Sequence, residues 1–277
     1  MTSTNCSMRP SYIPVPVPPL LGNFNTKLKV HHNFSDNQLP HRNVCHWASH
    51  LPDVQRACSL AHVCIQTKPK YVRIKTNIKA IIQNGPTCGL TALNMLTGDT
   101  ISIDDILLAA KQKQFTNHGE MFCAKNLQQL AIFLFDSLNH SVTIDLYSGK
   151  LDCDHIKAEL RNGACILVAY DSDFNHAPCL KNGHKAHWAV IIGCLVDDKN
   201  QFHVFVRHGK TRNLALWSLE SLSYSNANLN EYTAPHRYDE YSFQMPIDGI
   251  AGENGLRHRC IILNGIQNIN DFTHSDR

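Results

Sequence analysis

Along this chain the spacing of hydrophobic and polar positions changes period, and the change marks its organisation. Residues 88–96 carry Leu90, Leu93 and Leu96 at helical spacing and predict a helix stopped by Gly98. Ser102 followed by Asp105 resembles a capping box for a helix running to about residue 112, and 124–134 predicts another amphipathic helix. Residues 154–161 form a short helical pattern ending at Asn162-Gly163. Strand patterns then take over. Residues 141–147 alternate apolar and polar, while 164–170 is a continuous apolar run suited to a buried strand. Residues 187–196, a turn over 197–200 and residues 202–207 predict an antiparallel hairpin, and 260–263 a last strand. Upstream, 53–66 has helical spacing. Helices followed by an antiparallel sheet predict an α+β domain over residues 41–277. Residues 1–40 are rich in Pro, Ser and Asn without periodicity and read as a disordered N-terminal segment.

Composition narrows the class. The chain has 277 residues with 43% hydrophobic, enough for one large domain with an appended segment. Its formal charge of +3 is spread along the chain rather than striped, so nucleic acid is not an expected partner. No apolar run reaches the length of a membrane span, and no secretory signal pattern opens the chain. Eleven cysteines without such a signal read as reduced thiols in a cytoplasmic protein rather than as a disulfide framework.

The candidate chemistry sits in two short segments. Gln83-Asn84-Gly85-Pro86-Thr87-Cys88-Gly89-Leu90 places a thiol at the mouth of a helix, and Gly183-His184-Lys185-Ala186-His187-Trp188 places an imidazole at the entry to a strand. A thiol is mostly protonated at neutral pH, so a nucleophilic Cys88 needs an imidazole or a helix N-terminus to become thiolate, and alkylation near pH 6 would betray it. Gln83 can donate to the oxyanion formed on attack. The order Gln, Cys, His is that of papain-like cysteine peptidases. A buried, inert Cys88 is the competing reading, but a core thiol needs none of Gln83, Pro86 and Gly89 around it. Cys165 and Cys194 do read as core. For the base, His187 adjoins the strand and is preferred over His184 and His176. The group that orients it is open. No Asp or Asn ends the next strand, where His208 stands, with Asn213 and Asp198 as the other candidates. His176, Cys179, His184 and His187 also admit a zinc reading, disfavoured because they share one loop and a metal would disable the base. No metal or other cofactor is expected. Asp171, Asp173, Asn175 and Glu120 either line the cleft or hold loops by hydrogen bonds.

The blocks QNGPTCGL (83–90), GEMF (119–122) and YDSDFNHAPCLKNGHKAHWAV (170–190), with a weaker echo from His208 to Leu229, resemble the actin maturation protease family. The resemblance implies a papain-like, C39-like fold and a cytosolic cysteine aminopeptidase that removes the acetylated N-terminal Met or Cys of immature actin. It implies Cys88 as nucleophile, His187 as base and Gln83 as oxyanion donor. With actin as substrate, the Pro14 to Pro19 run becomes a candidate docking peptide for profilin, against its plainer reading as a polyproline linker. Another papain-like thiol hydrolase, such as a deubiquitinase-like isopeptidase, and a non-catalytic Cys/His zinc-binding module are the alternatives.

Overall fold

A computed structural model describes residues 45–266 and 271–275. In chain order these hold α1 (Pro52–Ala61), β1 (Tyr71–Lys75), α2 (Cys88–Leu96), α3 (Ile103–Gln112), α4 (Ala124–Ser137), β2 (Thr143–Ser148) and α5 (Asp154–Arg161). There follow β3 (Cys165–Asp171), β4 (Ala186–Val196), β5 (Phe202–His208), β6 (Ala215–Ser218), α6 (Leu219–Ala227), β7 (Arg259–Asn264) and β8 (Asp271–Ser275). The segment 1–40 lies outside the described residues, and the polyproline reading with it.

β4 is the spine of an α+β fold whose described strand pairings are all antiparallel. One edge of β4 is shared: its first half pairs with β3 (Tyr170 opposite His187) and its second with β1 (Ile74 opposite Gly193). The other edge pairs with β5 along its length, with Ala189 opposite His208 and a register shift between Ile191 and Gly193. The sheet order is therefore β2-β7-β3-β4-β1-β8, with β5 and β6 branching from β4. Glycine is required at 193 because a Cβ there would lie 2.7 Å from the Ile74 Cα of β1.

Both faces of the sheet are covered, which explains why β3, β4 and β5 read as continuous apolar runs. On one face α2 and α4, backed by α3, pack Leu90, Leu93, Leu127 and Leu130 against Leu167, Val190 and Phe205; on the other α5 and α6 pack Ile156, Leu160, Leu219 and Leu222 against Val168, Ile191 and Val204. α2 departs from the expected amphipathic picture. Every residue from Gly89 to Leu96 is buried, so this is a central helix with no solvent face.

Most predicted elements are present. Ser102 caps α3, with the Asp105 N–H donating to Ser102 Oγ at 3.1 Å; the return bond runs from the Ser102 hydroxyl to the Asp105 carboxylate at 2.6 Å, so this is half of the expected capping box. The helix expected over 53–66 ends early at Ala61, because His62 turns left-handed (φ 55°) and its N–H closes the C-terminus. α4 runs on to Ser137. β1 corrects the expected order of helices first and strands after, since it precedes α2 and still pairs with β4. β6, α6 and β8 were also not anticipated; β6 is four residues long, too short for a period to register.

Candidate active site

Cys88 is the first residue of α2, at the end of the loop that carries Gln83. Pro86 suits that loop because it needs no N–H bond, and the Thr87 hydroxyl secures the entry by donating to Asn84 O at 2.8 Å. Gly89 is held by contact: a Cβ there would meet Trp188 Cδ1 at 3.0 Å and Met121 Cβ at 3.1 Å. Trp188, whose indole N–H donates to Met121 O at 2.7 Å, thus ties β4 against the helix start. The half-buried Cys88 opens into a cavity of about 340 Å³ whose lining also includes Gln83, Glu120, Met121, Phe122, His176, His187, Lys210, Tyr232 and Arg237. Gln83, Cys88 and His187, far apart in sequence, are thereby brought to one cavity. His208 does not line it but packs behind His187.

The electrostatics of the pair are set first by burial. Burial pushes the Cys88 thiol above its usual range; the main-chain amides of Trp188, Gly89 and Cys88 and the Lys210 ammonium pull the other way without overcoming it. Burial likewise drives His187 well below the usual imidazole range, helped by His208, Lys210 and His176. Both shifts favour a neutral thiol beside a neutral imidazole. This differs from the expected thiolate–imidazolium pair reactive near pH 6, and the cause is the low exposure of both groups.

His187 is 5% exposed, and its Nε2 is buried with no hydrogen-bond partner among the described residues. Its ring packs edge-on against Tyr170 (centroids 5.8 Å) and against His208 (5.7 Å, planes at 80°). His208 in turn stacks on Trp217 at 5.9 Å, and its Nδ1 accepts the Lys210 N–H at 3.3 Å. Burial, His176 and Lys210 lower it to about 4, so it is neutral at ordinary pH. His208 therefore packs against the His187 ring, and no hydrogen bond joins the two among the described residues. Asp198 belongs to the turn at the opposite end of the β4–β5 hairpin, and Asn213 sits in the β5–β6 loop with its N–H on Thr211 Oγ1.

Gln83 is anchored at both ends. Its N–H donates to Gly209 O at 2.9 Å, and its side-chain amide donates to Gly85 O at 2.8 Å. An amide nitrogen has two hydrogens, so one remains for an oxyanion. His184, the rival base, is half-exposed and faces Thr233 Oγ1 at 2.8 Å and Glu231 at 3.4 Å. The acidic residues hold loops. Glu120 accepts N–H groups of Asn117, His118 and Gln244, and Asp171 those of Lys181 and Gly183. Asp173 pairs with Lys181, and Asn175 accepts from Ala177 N–H. Among the described residues no cluster of three or more metal-ligating side chains is assembled.

Comparison with known proteins then places the chain. The family model described as actin maturation protease-like, C-terminal domain, matches residues 78–195. The actin maturation protease of Drosophila melanogaster is 46% identical over 222 residues, covering 80% of this chain and 82% of the relative. The chain belongs to the actin maturation protease family. The Danio rerio and Homo sapiens members are 29% and 26% identical, covering 70% and 76% of this chain and 75% and 71% of their own lengths. The matched model spans Gln83, Cys88 and His187, whereas His208, Lys210 and Arg237 lie beyond it. Lys210, Tyr232 and Arg237 are among the cavity residues that sequence reasoning missed. A single basic or aromatic residue has no pattern to betray it, and only the fold brings these to the cavity of the thiol.

Proposed function

We propose that the chain is a cysteine aminopeptidase of papain-like, C39-like architecture that removes the acetylated N-terminal Met or Cys of immature actin. The observation that carries this reading is the placement of Cys88, at the N-terminus of a buried helix, in one cavity with His187 and Gln83. As the thiol attacks the carbonyl carbon, neutral His187 takes its proton and a C–S bond forms. The oxyanion is met by main-chain N–H groups at the start of α2 and by the spare Gln83 hydrogen. His187 then protonates the leaving amine and the C–N bond breaks; a water that gives its proton to the same base attacks the thioester carbonyl, a C–O bond forms, the C–S bond breaks, and His187 returns the proton to the departing sulfur.

The charge of the cavity favours a blocked terminus. An aminopeptidase that binds a free α-ammonium needs a carboxylate to meet it. Both carboxylates in the lining are engaged, Glu120 with three amides and Asp173 with Lys181. An acetylated terminus has no charge to neutralise, and Met121, Phe122 and Leu256 offer it apolar surface. A cytoplasmic location fits the free thiols of all ten described cysteines. Among the described residues no helix is long and apolar enough to cross a membrane. The deciding experiment incubates the protein with an N-acetyl-Met actin peptide and reads the product by mass spectrometry. Loss of acetyl-Met alone is expected; an intact peptide, or cleavage only of an isopeptide-linked substrate, would overturn the reading.

A further inference from the structure

Burial alone does not fix the direction of an imidazole, because the torsion that turns its ring is broad. His187 lacks the usual polar anchor: its Nε2 is buried without a partner, and among the described residues no carboxylate or amide side chain bonds to the ring. Flat rings surround it instead. The neighbouring strands β3, β4, β5 and β6 contribute one each, Tyr170, His187, His208 and Trp217. Register sets Tyr170 directly opposite His187, and His208 opposite Ala189, two residues further along the same face of β4. Tyr170 and His208 both meet the His187 ring edge-on, at 5.8 Å and 5.7 Å between centroids. Trp217 closes the circuit, tilted against Tyr170 at 5.0 Å and stacked on His208 at 5.9 Å with planes 20° apart. Two further ties brace it. The Tyr170 hydroxyl donates to His176 O at 2.8 Å, and the His176 ring lies against His208 at 5.6 Å. All these separations are ones at which aromatic pairs attract. A turn of the imidazole drives its edge into Tyr170 or His208, and Trp217 stands behind both.

We propose that this closed circuit of rings does the work of a hydrogen-bonding orienter, and that Trp217 is a positioning residue for His187, acting through Tyr170 and His208. The inference rests on the proposed peptidase reading, in which His187 moves the proton. Trp217, Tyr170 and His208 do not belong to the described lining of the cavity, so their influence on the reaction passes through the imidazole and not through the substrate. A cage of rings also differs chemically from a carboxylate. It fixes direction without adding negative charge, and so leaves the imidazole neutral at rest. Trp217 is half-buried on the four-residue β6, where a substitution spares the centre of the core.

The experiment compares wild type with Trp217→Met, which stays apolar but loses the flat ring, and with Trp217→Phe, which keeps one. On an acetyl-Met actin peptide, Trp217→Met should lose about 10- to 100-fold in kcat with KM little changed, the cost of a misaimed base, and Trp217→Phe should recover most of it. Wild-type kcat in Trp217→Met, or equal losses in the two variants, would overturn the inference while leaving the peptidase reading intact. NMR of histidine-labelled protein reads the ring directly. The His187 imidazole signals should be sharp in wild type and Trp217→Phe and broadened by exchange in Trp217→Met. Signals that Trp217→Met leaves unchanged would sink the proposal. If wild type cuts no peptide, the peptidase reading fails and the ring signals alone decide the inference. Should Trp217→Met not fold, His208→Leu takes its place under the same criteria.

Discussion

Replacing Cys88 by Ala removes the one thiol of the cavity wall and leaves Trp188 and Met121 in place, so cleavage of the acetylated peptide should vanish while the melting temperature holds. More than a trace of turnover by the purified variant would refute the nucleophile. Gln83→Ala is expected to lower kcat about 10²- to 10³-fold, the usual cost of an oxyanion donor. Alkylation of Cys88 should change little; a parallel collapse would show that Gln83, tied to Gly85 and Gly209, supports the loop instead. The alkylation profile itself tests the resting state. With the thiol raised by burial and His187 lowered, the iodoacetamide rate should climb on the alkaline side, with no plateau near pH 6. Lys210→Met withdraws a cation that favours thiolate, so the curve should move further alkaline; a shift to lower pH would contradict the assigned field. Much of this site was legible in the sequence, because Gln83, Cys88 and His187 each stand in a telling local context. The neutral pair was not, since burial depends on β3, β4 and β5 closing around it.

At the scale of elements, a period in the sequence survives folding where one face meets the core, and fails where both faces do or where the element is short. α5 and the β4–β5 hairpin stand where the pattern put them. α2 was located by Leu90, Leu93 and Leu96, yet its burial on all sides was invisible, as polar Thr91 and Asn94 are buried too. β6, with four residues, and β8, which pairs with β1 near the end of the described chain, acquire their identity from their partners. The role of Gly193 is likewise a matter of packing. Gly193→Ala forces a methyl into the Ile74 backbone and should prise β1 from β4 at a cost of about 1–3 kcal/mol. Denaturant unfolding measures this, and an unchanged midpoint would mean the two strands are not so closely joined.

For the whole molecule, the buried histidines link the site to acid stability. His208 falls to about 4 in the folded state, below its ordinary unfolded value near 6.5, so the unfolded chain binds the extra proton between these limits. Stability is therefore full above about pH 6.5 and declines as pH falls, by about 3 kcal/mol at pH 4 from this group alone. Buried His187 acts with the same sign. Melting temperatures should drop from neutral to acidic pH, less steeply in His208→Gln; identical slopes would remove His208 as a cause. For the segment 1–40 we propose a part in substrate delivery instead. We expect its deletion to leave turnover of a short acetylated peptide nearly unchanged, since the described residues of the cavity wall all lie downstream of it. If the Pro14 to Pro19 run docks profilin rather than serving as a plain linker, cleavage of actin bound to profilin weakens on deletion, because docking raises the local concentration of substrate. Full-length and truncated enzymes should be compared on peptide, actin and profilin–actin. Equal rates on profilin–actin would reduce the segment to a linker, and loss of peptide turnover would make it part of the catalytic fold.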